Sequence, residues 1–310
     1  MSRIHEALKK AEQERPSSSR QESSAGLPEP TPARSGASPA GAAENVVLSA
    51  GNLSEEDSRE LTIEMLLKRC TRPAWKPDLK TMVFFNTDNH TYGAEEFRTL
   101  RTRLYQIRDK QSLQTVLITS ALPQEGKSFI AANLAQAIVR QHERRALLID
   151  ADLRLPALHV PLGAPLTPGL SDYLRGDADN FSVIQRSPRD NLFFIPGGKP
   201  VSNPAELIGN GRLKNLLQGL KPIFDWIVLD SPPVIPISDA ALLANFCDGV
   251  VMVVKAASTP FDLAQKARQE FHGKPLLGVV LNRVEPGLAS SSYYYKHYVP
   301  GAKNRKVGSS

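Results

Sequence analysis

Cysteine is scarce in this chain. Only two cysteines, Cys70 and Cys247, occur among the 310 residues, and their positions match neither a metal-ligand spacing nor a set of paired disulfides. The sequence therefore excludes a disulfide-stabilised scaffold and predicts a protein of a reducing compartment.

Long apolar runs are also lacking. The most apolar window, residues 240–257, contains Asn245, Asp248 and Lys255, which makes it a poor membrane span. The start of the chain carries charges where a secretory signal would need an apolar run. We therefore expect a cytoplasmic protein that is recruited to the inner face of the membrane only through a partner.

Charge of one sign is not in large excess. The chain has 38 Lys and Arg residues and 32 Asp and Glu residues, for a formal net charge of +6. An excess of this size is typical of a solvated surface. No nucleic acid is expected as a partner.

Large apolar side chains are few near the start of the chain. Residues 16–50 are rich in Ser, Pro, Ala and Gly, a composition that cannot bury enough apolar surface to offset chain entropy. The predicted organisation is a short amphipathic helix at 1–15, a mostly disordered linker at 16–80 with a candidate helix at 54–69, a folded domain at 81–285 and a flexible tail at 286–310.

Short runs of Val, Ile and Leu alternate with helical stretches from about residue 92 onward. The runs are almost uninterruptedly apolar, as strands covered by helices on both faces must be; they occupy residues 115–120, 145–150, 191–196, 226–230, 249–254 and 276–282. The pattern predicts an α/β fold with a mostly parallel central sheet flanked by helices on both faces. Ligands of such sheets bind at the carboxyl ends of the strands.

A phosphate-binding pattern follows the first predicted strand. The segment SALPQEGKS ends in Gly126, Lys127 and Ser128 and leads into a helical run, which resembles the P-loop. Backbone amides of such a turn converge on phosphates, aided by the helix dipole. We predict that Lys127 contacts the β- and γ-phosphates of ATP and that Ser128 is a Mg²⁺ ligand. Ala121 and Gln124 occupy positions where glycine is usual.

The predicted nucleotide-binding residues include more than this tripeptide. The end of the last strand supplies candidate adenine contacts, Asn282 and Arg283. The full predicted set is Gln124, Glu125, Gly126, Lys127, Ser128, Phe129, Asn282 and Arg283.

Carboxylates end two of the predicted strands. Asp150 and Asp152 lie two residues apart, a spacing that points both side chains the same way in extended chain, and Asp230 ends another apolar run. A carboxylate in such a position is costly to bury without a cation. We predict a Mg²⁺ site formed by Ser128, Asp152 and Asp230. The alternative is that Asp150 and Asp152 cap a following turn.

The segments SALPQEGKS, LLIDADLRLP and WIVLDSPP, in this order, resemble the Walker A, A′ and B motifs of the bacterial tyrosine kinases (BY-kinases). This family belongs with the MinD/ParA-like P-loop ATPases, and the resemblance extends over about residues 80–300. It implies a P-loop NTPase fold and an ATP-dependent protein-tyrosine kinase. It also implies that Lys127, Asp150, Asp152 and Asp230 are catalytic, with Asp150 near the γ-phosphate as acceptor of the tyrosine proton.

Two more segments resemble parts of that family. Glu95, Arg98 and Arg101 match its oligomerisation motif, which implies a homo-oligomeric ring; the alternative is a solvated helix face. The tail clusters four tyrosines that resemble autophosphorylation substrates, modified in trans within the ring; the alternative is that they dock on the domain or on another protein. These tyrosines are Tyr293, Tyr294, Tyr295 and Tyr298.

The resemblance also implies a cellular role. The expected partner is a membrane chain-length regulator of polysaccharide export, supplied as a separate chain, and the expected role is control of exopolysaccharide or capsule synthesis. One alternative is a MinD/ParA-type ATPase switch, although such proteins usually carry an early loop lysine that is missing from Ser120 to Gln124. The other is a non-catalytic nucleotide-binding scaffold, in which Gln124 crowds the phosphates.

Overall fold

The computed structural model describes residues 62–85, 93–141, 143–188, 191–235, 237–271 and 273–285. The predicted helix at 1–15, most of the predicted linker and the predicted tail at 286–310 lie outside the described residues.

A seven-stranded sheet forms the centre of the described chain. Its order is β3-β4-β2-β5-β1-β6-β7, and all neighbours are parallel except β3 with β4. The strands are β1 Thr115–Ser120, β2 Ala146–Asp150, β3 Gln185–Arg186, β4 Leu192–Ile195, β5 Trp226–Asp230, β6 Gly249–Lys255 and β7 Leu276–Asn282. The prediction of a mostly parallel sheet is confirmed. The strand that the sequence pattern missed is β3, because two polar residues at an edge carry no apolar run.

Helices cover both faces of this sheet. The longest are those that precede β1 and follow the phosphate loop. The helices are α1 Ile63–Arg69, α2 Ala94–Arg108, α3 Lys127–Val139, α4 His159–Leu162, α5 Leu170–Arg175, α6 Pro204–Gly209, α7 Arg212–Leu220, α8 Asp239–Ala244 and α9 Phe261–Gln269. In the described residues, no helix is both long enough and apolar enough to cross a bilayer.

The core has two layers because successive side chains of a strand point to opposite faces. Leu117, Leu147 and Leu229 belong to the layer that also contains residues of α5, α7 and α8. Val116 and Leu148 belong to the opposite layer, which contains the apolar residues of α2 and α3. The central strands are buried on both faces, as predicted, whereas β7 at the sheet edge leaves Val279 and Leu281 exposed.

The packed chain begins earlier than the predicted boundary at residue 81. Helix α1 is capped by Thr62, whose hydroxyl accepts a hydrogen bond from the Met65 amide, whereas the predicted cap, Ser54, lies outside the described residues. Leu66 is buried in one core layer and Trp75 in the other, where the Trp75 ring packs edge-on against Phe194. The candidate helix at 54–69 corresponds to α1, Ile63–Arg69, whereas the prediction of a mostly disordered linker is wrong for residues 70–80, because their apolar side chains cover the sheet.

Candidate functional site

The phosphate loop joins β1 to α3 in a shape that requires two left-handed residues. Gln124 has φ of 62° and Gly126 has φ of 96°. A side chain at Gly126 would also collide with Asn282, so glycine is required there for two reasons. Gln124 is exposed, and glycine is usual at its position because an L-residue is strained in this conformation.

Lys127, the first residue of α3, reaches across to the end of β2. Its Nζ lies 3.2 Å from Oδ2 of Asp152 and 3.4 Å from Oγ of Ser128. Burial acts to lower the pKa of the ammonium, but the charges of Asp230 and Asp152 outweigh it and the pKa is raised. Lys127 is therefore a retained positive charge beside the phosphate loop.

Asp230 ends β5 in full burial. Neither of its carboxylate oxygens has a hydrogen-bond partner of good geometry in the described chain. Burial raises its pKa to about 6, and the Lys127 ammonium and the nearby Ser128 hydroxyl limit that rise. A buried carboxylate without hydrogen bonds is costly. Its position beside Lys127 suits a site that receives a cation.

Asp150 lies directly opposite Asp230 in the pairing of β2 with β5. Its Oδ2 accepts hydrogen bonds from the amides of Ala157 (2.9 Å) and Leu158 (3.0 Å). Its Oδ1 accepts one from the amide of Asp152 at 3.3 Å. Burial, and secondarily the charge of Asp230, raise the pKa of Asp150 to about 8.

The loop after β2 is thus held by both of its aspartates. Oδ1 of Asp152 accepts the amide of Leu155 at 3.1 Å, while Oδ2 faces Lys127. The alternative prediction was that these two residues cap a turn. All hydrogen bonds of Asp150 are of that kind, whereas Asp152 caps the turn with one oxygen and faces Lys127 with the other. Arg154, two residues after Asp152, forms a bidentate ion pair with the buried Asp239 of α8.

Glu125 and Asn282 have roles that the sequence did not indicate. The Glu125 carboxylate is buried, where it accepts the Leu122 amide at 2.8 Å and the hydroxyl of Thr259. Asn282 donates its side-chain amide to the Glu125 carbonyl at 2.8 Å. Thr259, in the β6–α9 connection, was missed; its signal was a hydroxyl residue at the carboxyl end of a strand beside β1.

Phe129 and Arg283, two of the predicted nucleotide contacts, bind other parts of the protein. The Phe129 ring packs edge-on against Phe97 of α2, with centroids 5.7 Å apart. Arg283 is exposed with φ of 57°, and its amide donates to Oδ1 of Asn282. The Phe129 side chain therefore belongs to the core between α2 and α3.

The three residues of the predicted oligomerisation motif lie on α2. Glu95 and Arg98 form an ion pair with each other, and Nη1 of Arg101 donates to the carbonyl of Ala137 in α3 at 2.7 Å. Arg101 is therefore used, at least in part, to attach α2 to the helix that follows the phosphate loop.

The geometry fits a magnesium–nucleotide better than a metal alone. In the part of the chain that the structure describes, no group of three or more His, Cys, Asp and Glu residues is arranged to hold a metal ion. Mg²⁺ commonly binds one or two carboxylates and completes its shell with water and phosphate oxygens. Asp152, Asp230 and Ser128 beside the glycine turn suit that arrangement. Fold and site together define a P-loop nucleotide-binding protein.

Comparison with known proteins agrees with this class and narrows it. Residues 116–298 match the family described as "CobQ/CobB/MinD/ParA nucleotide binding domain". The chain is 33% identical over 211 residues to tyrosine-protein kinase YwqD of Bacillus subtilis (strain 168), covering 67% of this chain and 89% of that protein. It is 34% identical over 215 residues to tyrosine-protein kinase CpsD of Streptococcus agalactiae, covering 68% and 91%.

A solved structure leads to the same family. The kinase domain of the Escherichia coli tyrosine kinase ETK superposes with a TM-score of 0.61 at 28% identity, covering 72% of this chain and 89% of that one. The chain belongs to the bacterial tyrosine kinases, within the MinD/ParA-type nucleotide-binding proteins. The predicted family, fold class and enzyme class are confirmed.

Proposed function

We propose that this chain transfers the γ-phosphoryl group of ATP to tyrosines of its own C-terminal segment, in trans between copies. The observation that carries the proposal is the convergence of Lys127, Asp152 and the fully buried Asp230 on one glycine turn. The acceptors are Tyr293, Tyr294, Tyr295 and Tyr298, which account for four of the seven tyrosines in the chain.

Each residue has a role that follows from its position. Bound Mg²⁺ would neutralise phosphate charge as it builds up during transfer. Asp152, Asp230 and Ser128 would hold that ion, and Lys127 would turn from Asp152 to the phosphates. A tyrosine Oη bonds to the γ-phosphorus, the bond to the β-phosphate oxygen breaks, ADP leaves with that oxygen, and the phenolic proton passes to water.

Asp150 is the residue for which two roles compete. The family resemblance assigns it to accept the tyrosine proton. Its carboxylate is fully buried and both oxygens accept backbone amides, which favours a positioning role that holds the loop of Asp152. We therefore propose that Asp150 acts mainly through the position of Asp152.

The proposal extends to assembly and partners. Copies would form a ring through Glu95, Arg98 and Arg101 of α2, a helix attached directly to α3 through Phe97 and Phe129. Recruitment to the inner face of the membrane would come from a separate regulator of polysaccharide export. The role would be control of exopolysaccharide or capsule synthesis.

The deciding experiment is mass spectrometry of residues 286–310 after incubation of the full chain with MgATP. We expect phosphate on the tail tyrosines, and no label in Lys127→Met. Lys214→Met, an exposed lysine of α7, should label normally. ATP hydrolysis without labelling would favour the ATPase switch, and nucleotide binding without either would favour a scaffold. An activator peptide should be included in a parallel sample.

A further inference from the structure

Three exposed apolar side chains lie on the loop after β2 and on the segment bonded to it. Leu79, Leu155 and Val160 are exposed by 55%, 76% and 67%, and they are three of the six large apolar side chains left exposed in the described chain. We call these three residues the apolar shelf. They lie on two segments that are bonded together, because the amide of Asp78 donates to the carbonyl of Pro161 at 2.9 Å.

The shelf is built from the same loop that positions the catalytic carboxylates. The Leu155 amide donates to Oδ1 of Asp152 at 3.1 Å, and the other oxygen of Asp152 faces Lys127. Two residues later, the amide of Ala157 binds Asp150. Leu155 is thus held at a fixed place next to Asp152, with its side chain in solvent.

The chemistry of this surface matches one segment of the chain. Residues 286–310 contain four tyrosines and four basic residues, Lys296, Lys303, Arg305 and Lys306, and no carboxylate. Tyrosine combines an apolar ring with a polar tip, so it suits a surface that is apolar beside a charged site. The carboxylates around Lys127 would attract the basic residues, and a bound nucleotide would add negative charge.

The place where the described chain ends is also consistent with this occupant. It ends at Glu285, three residues after Asn282, whose side chain contacts the phosphate loop at Glu125. The described chain therefore ends on the side of the molecule where the carboxyl ends of the strands and the phosphate loop lie. The eight-residue step from Glu285 to Tyr293 can span up to about 27 Å, more than the roughly 19 Å that four strand spacings put between β7 and β2.

We propose that the apolar shelf is the docking surface for the tyrosine-rich segment 286–310, and that Leu155 supports the ring of the tyrosine that is being phosphorylated. This inference rests on the proposed kinase function. Phosphorylation adds a charge of about −1.5 to −2 next to Asp152 and Asp230, so the product is repelled and the next tyrosine takes its place.

The test compares two double variants as enzymes. Both are made in a full chain whose four tail tyrosines are changed to serine, so that the enzyme cannot label itself. Leu155→Ser with Val160→Ser alters the shelf. Leu281→Ser with Val279→Ser alters a Leu and a Val of similar exposure on β7. The acceptor is the full chain carrying Lys127→Met, which cannot label itself. Initial rates of tyrosine phosphorylation are measured against acceptor concentration.

We expect the shelf variant to raise the KM for the acceptor by about fivefold or more, since two apolar contacts are lost. Its affinity for a fluorescent ATP analogue should stay unchanged, and the β7 variant should behave as the unaltered chain does. An unchanged KM in the shelf variant overturns the inference, as does an equal effect of the β7 variant.

A binding measurement separates this inference from the kinase proposal. A labelled peptide of residues 286–310 is titrated with the same variants in the presence of Mg²⁺ and a non-hydrolysable ATP analogue. Weaker binding to the shelf variant supports docking even if no phosphotyrosine forms, in which case only the kinase proposal fails. Equal binding to both variants rejects the docking surface.

Discussion

Glu125 shows how a single side chain sets the shape of the phosphate loop. The sequence placed it among the nucleotide contacts, but its carboxylate lies inside the protein, between the Leu122 amide and the Thr259 hydroxyl. Asn282 holds the backbone of the same residue from β7. The loop is therefore held in shape by its neighbours before a nucleotide binds, which lowers the cost of ordering it.

Thr259→Val tests whether the Thr259 hydroxyl holds the phosphate loop in shape. The hydroxyl donates to Glu125 and accepts the Lys255 amide at 2.9 Å, so its loss leaves buried polar groups unpaired at a cost of about 1–3 kcal/mol. We expect the nucleotide Kd to rise by about tenfold, which corresponds to roughly 1.4 kcal/mol. Isothermal titration calorimetry would measure it.

Two controls accompany that variant. Thr259→Ser keeps the hydroxyl and should bind nucleotide nearly normally. Thr102→Val removes an exposed hydroxyl of α2, which donates to a helix carbonyl, and should have no effect on affinity. Normal affinity in Thr259→Val would mean that the loop keeps its shape without this contact.

Helix α3 joins the phosphate loop to the rest of the molecule. Its face toward α2 bonds to that helix through the Phe97–Phe129 ring contact and through Arg101. Its buried Asn133 accepts the amide of Val83 at 2.8 Å and donates to the carbonyl of Thr81 at 2.9 Å. Helix α3 thus connects the phosphate loop, the predicted interface helix α2 and residues 81–83.

Asn133→Ala tests how much the contact between α3 and residues 81–83 contributes to stability. The substitution leaves the Val83 amide without its partner in a buried place, so we expect the free energy of unfolding to fall by about 1–3 kcal/mol. Urea denaturation followed by circular dichroism measures this. Asn215→Ala, an exposed asparagine of α7, should change stability by less than about 0.5 kcal/mol. Equal stability of the two variants would contradict the role of Asn133.

Two carboxyls with raised pKa values lie side by side at the ends of β2 and β5, and the free energy that their burial costs depends on pH. Burial raises the pKa of Asp150 to about 8 and of Asp230 to about 6, both above the ordinary value of 3.8. A carboxyl with a raised pKa contributes stability below its unfolded pKa and loses it as pH rises through the folded pKa. The stability of the metal-free, nucleotide-free protein therefore falls as the pH rises from about 4 to about 8, and above pH 8 the full cost of the two charges remains.

Asp230→Asn should remove part of that cost. For the metal-free, nucleotide-free chain we expect it to raise the free energy of unfolding at pH 8 by about 1–3 kcal/mol, with a smaller gain at pH 5. Thermal denaturation at both pH values measures the difference. Asp262→Asn, an exposed aspartate of α9, should give no pH-dependent gain. A loss of stability at pH 8 in Asp230→Asn would show that the attraction of the nearby Lys127 charge outweighs burial.

The local pattern of the chain determined the α/β fold, six of the seven described strands and the phosphate loop. An uninterrupted apolar run predicts a strand that is buried on both faces. Ligands of parallel sheets bind where the strands end, which brings Lys127, Asp152 and Asp230 to the same end of the sheet. The family and enzyme class followed from the same short segments. None of this needed knowledge of contacts between distant residues.

The pairing of those groups depends on the folded structure. The register of β2 on β5 sets Asp150 against Asp230, and contacts across more than 130 residues join Thr259 and Asn282 to Glu125. The same holds for residues 70–80, which the sequence assigned to the linker but whose apolar side chains pack on the sheet. The reason is that such contacts depend on the packing of whole elements, which a local sequence pattern does not encode.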